Sequence, residues 1–314
     1  MIKGSKILVT GGAGFIGSHL VEALLPYNKV KVIDDLSSGK RENLPNDPNL
    51  IFHRSSILNN ATVQESVRWA DYIFHMAADV GNIKSLEDPI YNMRVNVEGT
   101  INILEAARYN DHLKKIVFSS SSAVYGDVHN APIPETAEIM PDSPYAVSKH
   151  SAEEYCLAYA FLYNSPIVIL RYFNVYGTRQ GYSEYANVIP VFVNHAINGT
   201  TATIFGTGDQ TRDWVHVSDV VKANILAAEH SYLVTHASTY NIATGKGNTI
   251  KKLIAIIGSS IGKDIIIHHE PPRAGEVQHS RADISEAKDR LEYTPQVTLN
   301  VGIREYCNKE LKRR

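Results

Sequence analysis

Short apolar runs alternate with longer amphipathic stretches through the first half of the chain. The short runs are rich in β-branched residues and predict strands over Lys6 to Thr10, Lys29 to Asp34, Leu50 to His53, Tyr72 to His75, Lys115 to Ser119 and Ile167 to Tyr172. The longer stretches predict helices over Phe15 to Leu25, Pro89 to Tyr109 and Pro144 to Tyr163. Strands that alternate with helices form βαβ units, so this pattern predicts an α/β fold with a doubly wound parallel sheet.

The pattern changes beyond about Gly177. Loops rich in Gly, Thr and Asn, at residues 206–210 and 244–248, separate shorter elements there. We therefore predict a first domain over residues 1–176, to which later segments return, and a smaller α/β lobe built mainly from residues 177–314.

The composition is that of an ordinary globular protein and argues against two kinds of partner, nucleic acids and membranes. The 314 residues are 44% hydrophobic and 20% charged, with a formal net charge of −2. The sequence has no basic stripe interleaved with aromatics, which argues against nucleic-acid binding, and no apolar run reaches the ~18 residues of a membrane span. The two cysteines and thirteen histidines lack metal-ligand spacing, so we expect no metal and a reducing, cytoplasmic location.

A glycine-rich turn follows the first predicted strand directly. Gly11, Gly14 and Gly17 recur at three-residue intervals before a predicted helix, where they permit a tight turn and the close approach of a pyrophosphate. The second predicted strand ends about twenty residues later in Asp34 and Asp35. A carboxylate there accepts hydrogen bonds from an adenosine ribose and repels a 2′-phosphate, which favours NAD over NADP. Ordinary turns and a turn aspartate are the alternative interpretation.

Tyr145 and Lys149 are four residues apart in a predicted helix and therefore share one helix face. The pKa of a free tyrosine is near ~10, and a neighbouring cation lowers it, so such a pair can form a proton-transfer base. The same spacing also arises by chance on exposed helices. Only the surrounding motifs decide between these two interpretations.

Further motifs follow along the chain in a fixed order. Together with the glycine turn and the Tyr–Lys pair they resemble the extended short-chain dehydrogenase/reductase superfamily, and within it the nucleotide-sugar epimerases and dehydratases. The match spans nearly the whole chain, and such an ordered set is highly specific. The motifs are Gly11, Gly14 and Gly17; Asp34; His75-Met76-Ala77-Ala78; Asn96 with Gly99-Thr100; residues 119–126; Tyr145 and Lys149; and residues 171–177.

The resemblance implies a Rossmann-type sheet that binds NAD. In this superfamily the tyrosine is the acid/base, the lysine holds the nicotinamide ribose and lowers the tyrosine pKa, and a Ser or Thr hydrogen-bonds the reacting sugar hydroxyl. We therefore predict Ser121, Tyr145 and Lys149 as catalytic residues. The residues that the resemblance implies for NAD binding are Gly11, Gly14, Phe15, Ile16, Gly17, Asp34, Asp35, Ser37, Ser38, Gly39, Ser56, Ile57, Ala77, Ala78, Tyr145 and Lys149.

The two residues after Ser121 distinguish reaction classes in this superfamily. The 4,6-dehydratases carry Asp-Glu there and the decarboxylases typically carry a glutamate, whereas this chain has Ser122 and Ala123. Without a carboxylate for a second proton transfer, water elimination lacks its acid and base. Within the superfamily, the chain therefore resembles the 4-epimerases. This resemblance implies an isomerase that epimerises UDP-hexoses at C4 through a 4-keto sugar. A nucleotide-sugar reductase and a non-enzymatic dinucleotide sensor are the alternatives.

The second lobe supplies most of the residues that match the family's substrate contacts. Position 280 is a tyrosine in glucose-restricted epimerases and Ser or Cys in enzymes that also accept N-acetylated sugars. Ser280 therefore predicts UDP-GlcNAc and UDP-GalNAc as substrates besides UDP-Glc and UDP-Gal. The implied substrate-binding residues are Ser121, Ser122, Tyr145, Asn174, Asn187, Arg212, Arg273, Glu276 and Ser280.

Two positions depart from the family pattern. Ser56 stands where an aspartate usually binds the adenine amino group, and Asn82 replaces an apolar residue that is common in relatives. We therefore expect altered adenine contacts at Ser56, and at Asn82 either an altered sugar pocket or no effect on function.

The resemblance also implies a homodimer. In relatives, the two helices predicted over Pro89 to Tyr109 and Pro144 to Tyr163 form a four-helix interface. The apolar residues Leu157, Ala160 and Phe161 either serve this interface or pack on the sheet.

Overall fold

The structure is a computed structural model that describes residues 2–127, 131–181, 188–230, 238–272 and 278–313. The strands are β1 (Lys6–Thr10), β2 (Lys29–Asp34), β3 (Leu50–Arg54), β4 (Tyr72–His75), β5 (Lys115–Ser121), β6 (Ile167–Tyr172), β7 (Asn174–Tyr176), β8 (Ala202–Phe205), β9 (Thr211–Arg212), β10 (Trp214–His216), β11 (Ser238–Ile242), β12 (Asn248–Thr249) and β13 (Ile267–Glu270). The helices are α1 (Phe15–Leu24), α2 (Asn60–Trp69), α3 (Asn82–Glu87), α4 (Pro89–Met93), α5 (Gly99–Ala107), α6 (Pro144–Tyr163), α7 (Val188–Asn198), α8 (Val217–Glu229), α9 (Ile250–Ile261), α10 (Ser285–Leu291) and α11 (Leu299–Lys312). A π turn (Arg94–Glu98) joins α4 to α5.

Seven parallel strands form the central sheet in the order β11-β6-β5-β4-β1-β2-β3. Val9 of β1 lies opposite Val32 of β2 and Phe74 of β4. Strand β11 comes from the later part of the chain and pairs with β6. Residues after 176 thus contribute to the first sheet, while the domain boundary itself stays a prediction.

Both faces of this sheet are covered, which is why its strands are apolar on both sides. Leu8 and Val9 are adjacent in β1 and point to opposite faces. Val9 belongs to a core that includes Leu20 of α1 and Val220 of α8. Leu8 belongs to a second core with α2, α5 and α6.

The smaller lobe has its own core between α7, α9 and α11. Phe192, Leu253 and Ile303 are buried there, one from each helix. Paired short strands complete it: β7 with β10 and β8 with β13 are parallel, and β9 with β12 is antiparallel. None of the helices in the described residues has the length and apolar character needed to cross a membrane.

The observed bounds match most of the predicted elements. β1, β2, β4, β6 and α6 begin and end where predicted, while β3 and β5 run on to Arg54 and Ser121. The helix predicted over Pro89 to Tyr109 ends at Ala107 and is interrupted by the π turn. Within that turn Asn96 is buried, and its amide nitrogen lies 2.9 Å from both the Asp79 carbonyl and the Ser148 hydroxyl.

Candidate active site

The predicted site residues collect at the carboxyl edge of the central sheet. The glycine turn follows β1, Ala77 and Ala78 follow β4, and Ser121 ends β5. Neighbouring parallel strands end on the same side, so their loops meet there. This edge is where open α/β sheets bind ligands.

The glycine turn leaves no room for a side chain at Gly11 or Gly17. A Cβ on Gly11, whose φ is +67°, would lie 2.7 Å from the backbone nitrogen of Ala77, and one on Gly17 would lie 2.2 Å from the Gly11 carbonyl oxygen. Gly14 is the N-cap of α1 and provides no side-chain cap. The N–H groups of Phe15, Ile16 and Gly17 lie in the first turn, which leaves them for an anion. The turn therefore fits a dinucleotide pyrophosphate.

Asp34 organises the loop beside this turn. Its carboxylate accepts hydrogen bonds from the N–H groups of Ala13 and Leu36, both at 2.9 Å. Burial raises the pKa of Asp34, and these two N–H groups oppose that effect. A Cβ on Gly39 would lie 2.9 Å from the same carboxylate, so the loop packs closely against it. Asp35, Ser37 and Ser38 follow Asp34 at this edge, and both serines are exposed.

Three further predicted cofactor residues, Ser56, Ile57 and Ala77, already have partners within the protein. The side chain of Ile57 is buried in the core against Gly99, and its carbonyl oxygen accepts a hydrogen bond from the Asn102 amide at 3.1 Å. The Ser56 hydroxyl accepts a hydrogen bond from the N–H of Leu58 at 3.2 Å. Ala77 donates its N–H to the Thr10 hydroxyl at 3.2 Å, which ties the end of β4 to β1.

Tyr145 and Lys149 lie in the first turns of α6. Ser143 caps this helix by accepting a hydrogen bond from the N–H of Ala146 at 3.2 Å, and Pro144 occupies the first turn, where its missing N–H costs nothing. Tyr145 is 8% exposed and Lys149 is 3% exposed. The phenol and the ammonium therefore lie in the interior of the site, and the surface interpretation of this pair is wrong.

Burial and hydrogen bonding act in opposite directions on Tyr145. Burial raises the pKa of the phenol, a hydrogen bond with Ser121 lowers it, and the carboxylate of Asp79 raises it. Burial also lowers the pKa of Lys149 to about 8, although Glu153 opposes this. The structure thus brings Ser121 and Tyr145 together, with Lys149 one turn away.

The surroundings of Lys149 are apolar and uncharged on the sheet side. Its Nζ lies 4.4 Å from the centre of the Phe118 ring, within the range of a cation–π contact. Burial and the nearby Lys149 lower the pKa of His75 to about 3. His75 is therefore neutral at physiological pH, with Thr10 and Thr100 hydroxyls at 2.8 and 3.0 Å from its ring nitrogens.

Glu153 and Arg171 form a buried ion pair that sequence reasoning missed. Arg171 donates from Nε and Nη2 to the two carboxylate oxygens at 2.9 and 2.7 Å. Burial opposes both charges, but Arg171 and His150 keep the pKa of Glu153 below its usual value. The available signal was the spacing, because Glu153 follows Lys149 by four residues on the same helix face.

The predicted substrate residues divide between the two lobes. Ser122 lies in the turn that follows Ser121, and Asn174 begins β7. In the smaller lobe Ser280 donates its N–H to the Thr211 carbonyl at 3.1 Å, which places it beside Arg212. Asn187, Arg273 and Glu276 lie outside the described residues. In the part of the chain that the structure describes, no group of three or more His, Cys, Asp or Glu side chains is arranged to hold a metal ion.

Comparisons with known proteins agree with this geometry. Residues 7–243 match the NAD dependent epimerase/dehydratase family. A UDP-glucose 4-epimerase of Mycolicibacterium smegmatis is 36% identical over 303 residues, which cover 95% of this chain and 96% of the relative. A UDP-N-acetyl-alpha-D-glucosaminuronate decarboxylase of Bacillus cytotoxicus is 33% identical over 320 residues, covering 96% of each.

Among solved structures, the chain is similar to a UDP-N-acetylglucosamine 4-epimerase of Methanobrevibacter ruminantium in complex with UDP-N-acetylmuramic acid. The two are 39% identical over 100% of both chains, with a TM-score of 0.95. These similarities confirm the predicted superfamily, the Rossmann-type fold with its smaller lobe, and the NAD cofactor. The chain belongs to the NAD-dependent epimerase/dehydratase family, as an enzyme of the isomerase class related to UDP-sugar 4-epimerases.

Proposed function

We propose that this enzyme interconverts UDP-hexoses that differ at C4, through a 4-keto sugar, and that it accepts UDP-GlcNAc and UDP-GalNAc as well as UDP-Glc and UDP-Gal. The observation that carries the proposal is the placement of the Ser121 hydroxyl beside the buried Tyr145 phenol, with Lys149 one turn away, at the sheet edge that carries the glycine turn. These groups meet the needs of a reversible oxidation of one carbinol.

The chain's own groups move and orient a single proton. Ser121 holds the C4 hydroxyl of the sugar, and Tyr145 as phenolate removes its proton. Lys149 favours the phenolate electrostatically while it is charged, which its pKa of about 8 allows near neutral pH. Bound NAD⁺ supplies the hydride acceptor and, once reduced, the hydride donor. Tyr145 then returns the proton to the sugar oxygen, and the enzyme ends in the state in which it began.

Epimerisation requires the 4-keto sugar to rotate in the site, so that its opposite face receives the hydride when it is reduced. An anchor on the remote nucleotide permits this, because binding energy from the UDP part holds the substrate while the sugar rotates. We assign this anchor to Asn174, Asn187, Arg212, Arg273 and Glu276. Arginine suits a diphosphate because its planar fork donates two parallel hydrogen bonds.

Decarboxylation and dehydration have less support. Both need a further group for proton transfer, and the turn after Ser121 carries Ser122 and Ala123, neither of which titrates in a useful range. A reductase would use the same three catalytic residues but would consume reduced cofactor. Net cofactor consumption therefore separates it from an epimerase.

The direct test uses purified enzyme with UDP-GlcNAc or UDP-Glc and no added NADH, with products resolved by NMR. We expect each sugar to approach a mixture of its two C4 epimers without net loss of cofactor. Failure to convert any UDP-sugar would contradict the proposal, and conversion only with stoichiometric NADH would favour the reductase.

The small side chain of Ser280 is proposed to leave room for a 2-acetamido group. We expect Ser280→Tyr to lower turnover of UDP-GlcNAc relative to UDP-Glc by at least about tenfold, because a bulky ring would fill the volume that the acetamido group needs. Turnover of UDP-Glc by the same variant is the internal control. Equal losses for both sugars, or no loss for UDP-GlcNAc, would show that this position does not gate the sugar.

We also propose that the enzyme is a homodimer that pairs α6 and the α4–α5 segment of two copies. Leu157 packs against the second core and Ala160 is buried, so these two residues face the sheet. Phe161 and Ile90 are each 65% exposed, which leaves large apolar side chains on the outer face of these helices. We expect sedimentation of a dimer for the native enzyme and of a monomer for Phe161→Glu; a native monomer would contradict this proposal.

A further inference from the structure

Asp79 is a buried carboxylate beside the catalytic helix, and none of the motifs pointed to it. It follows β4 at the edge that carries the site, and the residue is 7% exposed. Its Oδ1 pairs with the ammonium of Lys84, and its Oδ2 accepts a hydrogen bond from the Asn92 amide at 3.0 Å. The carboxylate is therefore fixed in one orientation by two side chains.

The same cluster holds the backbone of Tyr145 at both ends. The N–H of Tyr145 donates to the Ser85 hydroxyl at 3.1 Å, and Ser85 lies next to Lys84 in α3. The Ser148 hydroxyl lies 2.8 Å from the Tyr145 carbonyl oxygen and 2.8 Å from Oδ1 of Asn92. The segment that carries the carboxylate is thus bound directly to the turn of helix that carries the phenol.

We propose that the Asp79–Lys84 ion pair is an electrostatic control element for Tyr145, in which a fixed carboxylate resists formation of the phenolate. This inference rests on the proposed role of Tyr145 as the acid/base. One residue must both remove and return the proton, so a phenol that ionises too readily would be a poor acid in the second step. Asp79 keeps the proton affinity of the phenol high enough for both steps.

Among the described residues, other titratable or polar groups near Tyr145 come from α6, β5 and β4, and Tyr91 of α4 lies in the field of the same Asp79 and Lys84. From its own helix come the cation of Lys149 and, one turn further, Glu153, whose charge is paired with Arg171. From β5 comes the neutral hydroxyl of Ser121. His75 in β4 is neutral, as described above. The Asp79 side chain is 6% exposed, whereas the Lys84 side chain that pairs with it is 42% exposed, so solvent screens the cation of this pair more than the anion.

Asp79→Asn tests the inference, because it keeps the shape of the side chain and removes its charge. The base must be deprotonated, so kcat/KM rises with pH through the pKa of Tyr145. Removing the anion lowers that pKa, and we expect the acid limb to move to lower pH by about one unit. Asp79→Glu, which keeps the charge, and Glu87→Gln, which removes a charge from the exposed face of α3, are expected to leave the limb within a few tenths of a unit.

A second readout needs no sugar substrate and therefore separates this inference from the proposed function. For each protein, the absorbance of tyrosinate is followed as the pH rises, and the same titration of the protein that also carries Tyr145→Phe is subtracted. The difference reports Tyr145 alone among the 17 tyrosines. We expect the midpoint to fall in Asp79→Asn and to stay in place in Asp79→Glu and Glu87→Gln. An unchanged or raised midpoint in Asp79→Asn, or an equal shift in Glu87→Gln, would overturn the inference even if the enzyme is an active epimerase.

Discussion

Tyr145→Phe is expected to reduce epimerisation of UDP-GlcNAc and UDP-Glc by about 10³-fold while NADH binding stays within about twofold of the native value. We propose the phenol as the group that accepts the C4 proton, because it is buried in the site beside the Ser121 hydroxyl, with Lys149 one turn away. Phenylalanine fills the same volume without a titratable oxygen. Turnover is measured by NMR and NADH binding by fluorescence titration.

Tyr155→Phe is the matched control. Tyr155 lies in the same helix and is 41% exposed, so its hydroxyl is remote from the interior of the site. We expect this variant to retain native turnover. A Tyr145→Phe enzyme with a comparable rate would remove Tyr145 from the mechanism, whereas parallel loss of NADH binding would indicate a structural role.

Glu153→Ala is expected to lower the free energy of unfolding by about 3–5 kcal/mol. The Glu153 side chain is 1% exposed and that of Arg171 is 8% exposed, so the substitution would leave a guanidinium in the interior without its carboxylate. The Tyr125 hydroxyl, which accepts a hydrogen bond from Arg171 at 3.0 Å, cannot supply the missing charge. Denaturant titration followed by circular dichroism measures the change.

Glu154→Ala provides the comparison at the neighbouring position. Glu154 is exposed on the same helix, so its loss removes a carboxylate without uncovering a buried cation. We expect it to change the free energy of unfolding by less than about 0.5 kcal/mol. Similar losses in the two variants would mean that the buried pair contributes little beyond helix propensity.

The sheet was predictable because its signals are local. Each of β1, β2, β4 and β6 is a short β-branched run bounded by turn residues, and their observed bounds match the predicted ones. The glycine turn and the Tyr145–Lys149 pair were predictable for a similar reason, since each depends on residues a few positions apart. The resemblance to a known superfamily then supplied the order in which these parts meet.

The parts that escaped prediction depend on contacts between distant segments. The π turn within the helix predicted over Pro89 to Tyr109 coincides with Asn96, whose partners Asp79 and Ser148 are 17 and 52 positions away. Glu153 likewise has no special signal in the sequence, because its partner Arg171 lies in β6 and contacts it only in the folded protein. The periodicity of the sequence shows which residues share a face of a helix or strand. It does not show which distant segment packs against that face.

We propose that one enzyme-bound oxidation and reduction at C4 inverts the sugar. The most direct measurement uses UDP-GlcNAc that carries deuterium at C4, incubated in ordinary water with the enzyme and no added NADH. We predict that the UDP-GalNAc formed retains the deuterium at C4 by NMR, because the abstracted hydrogen is returned to the same carbon without exchanging with solvent. Product with protium at C4 would contradict the account.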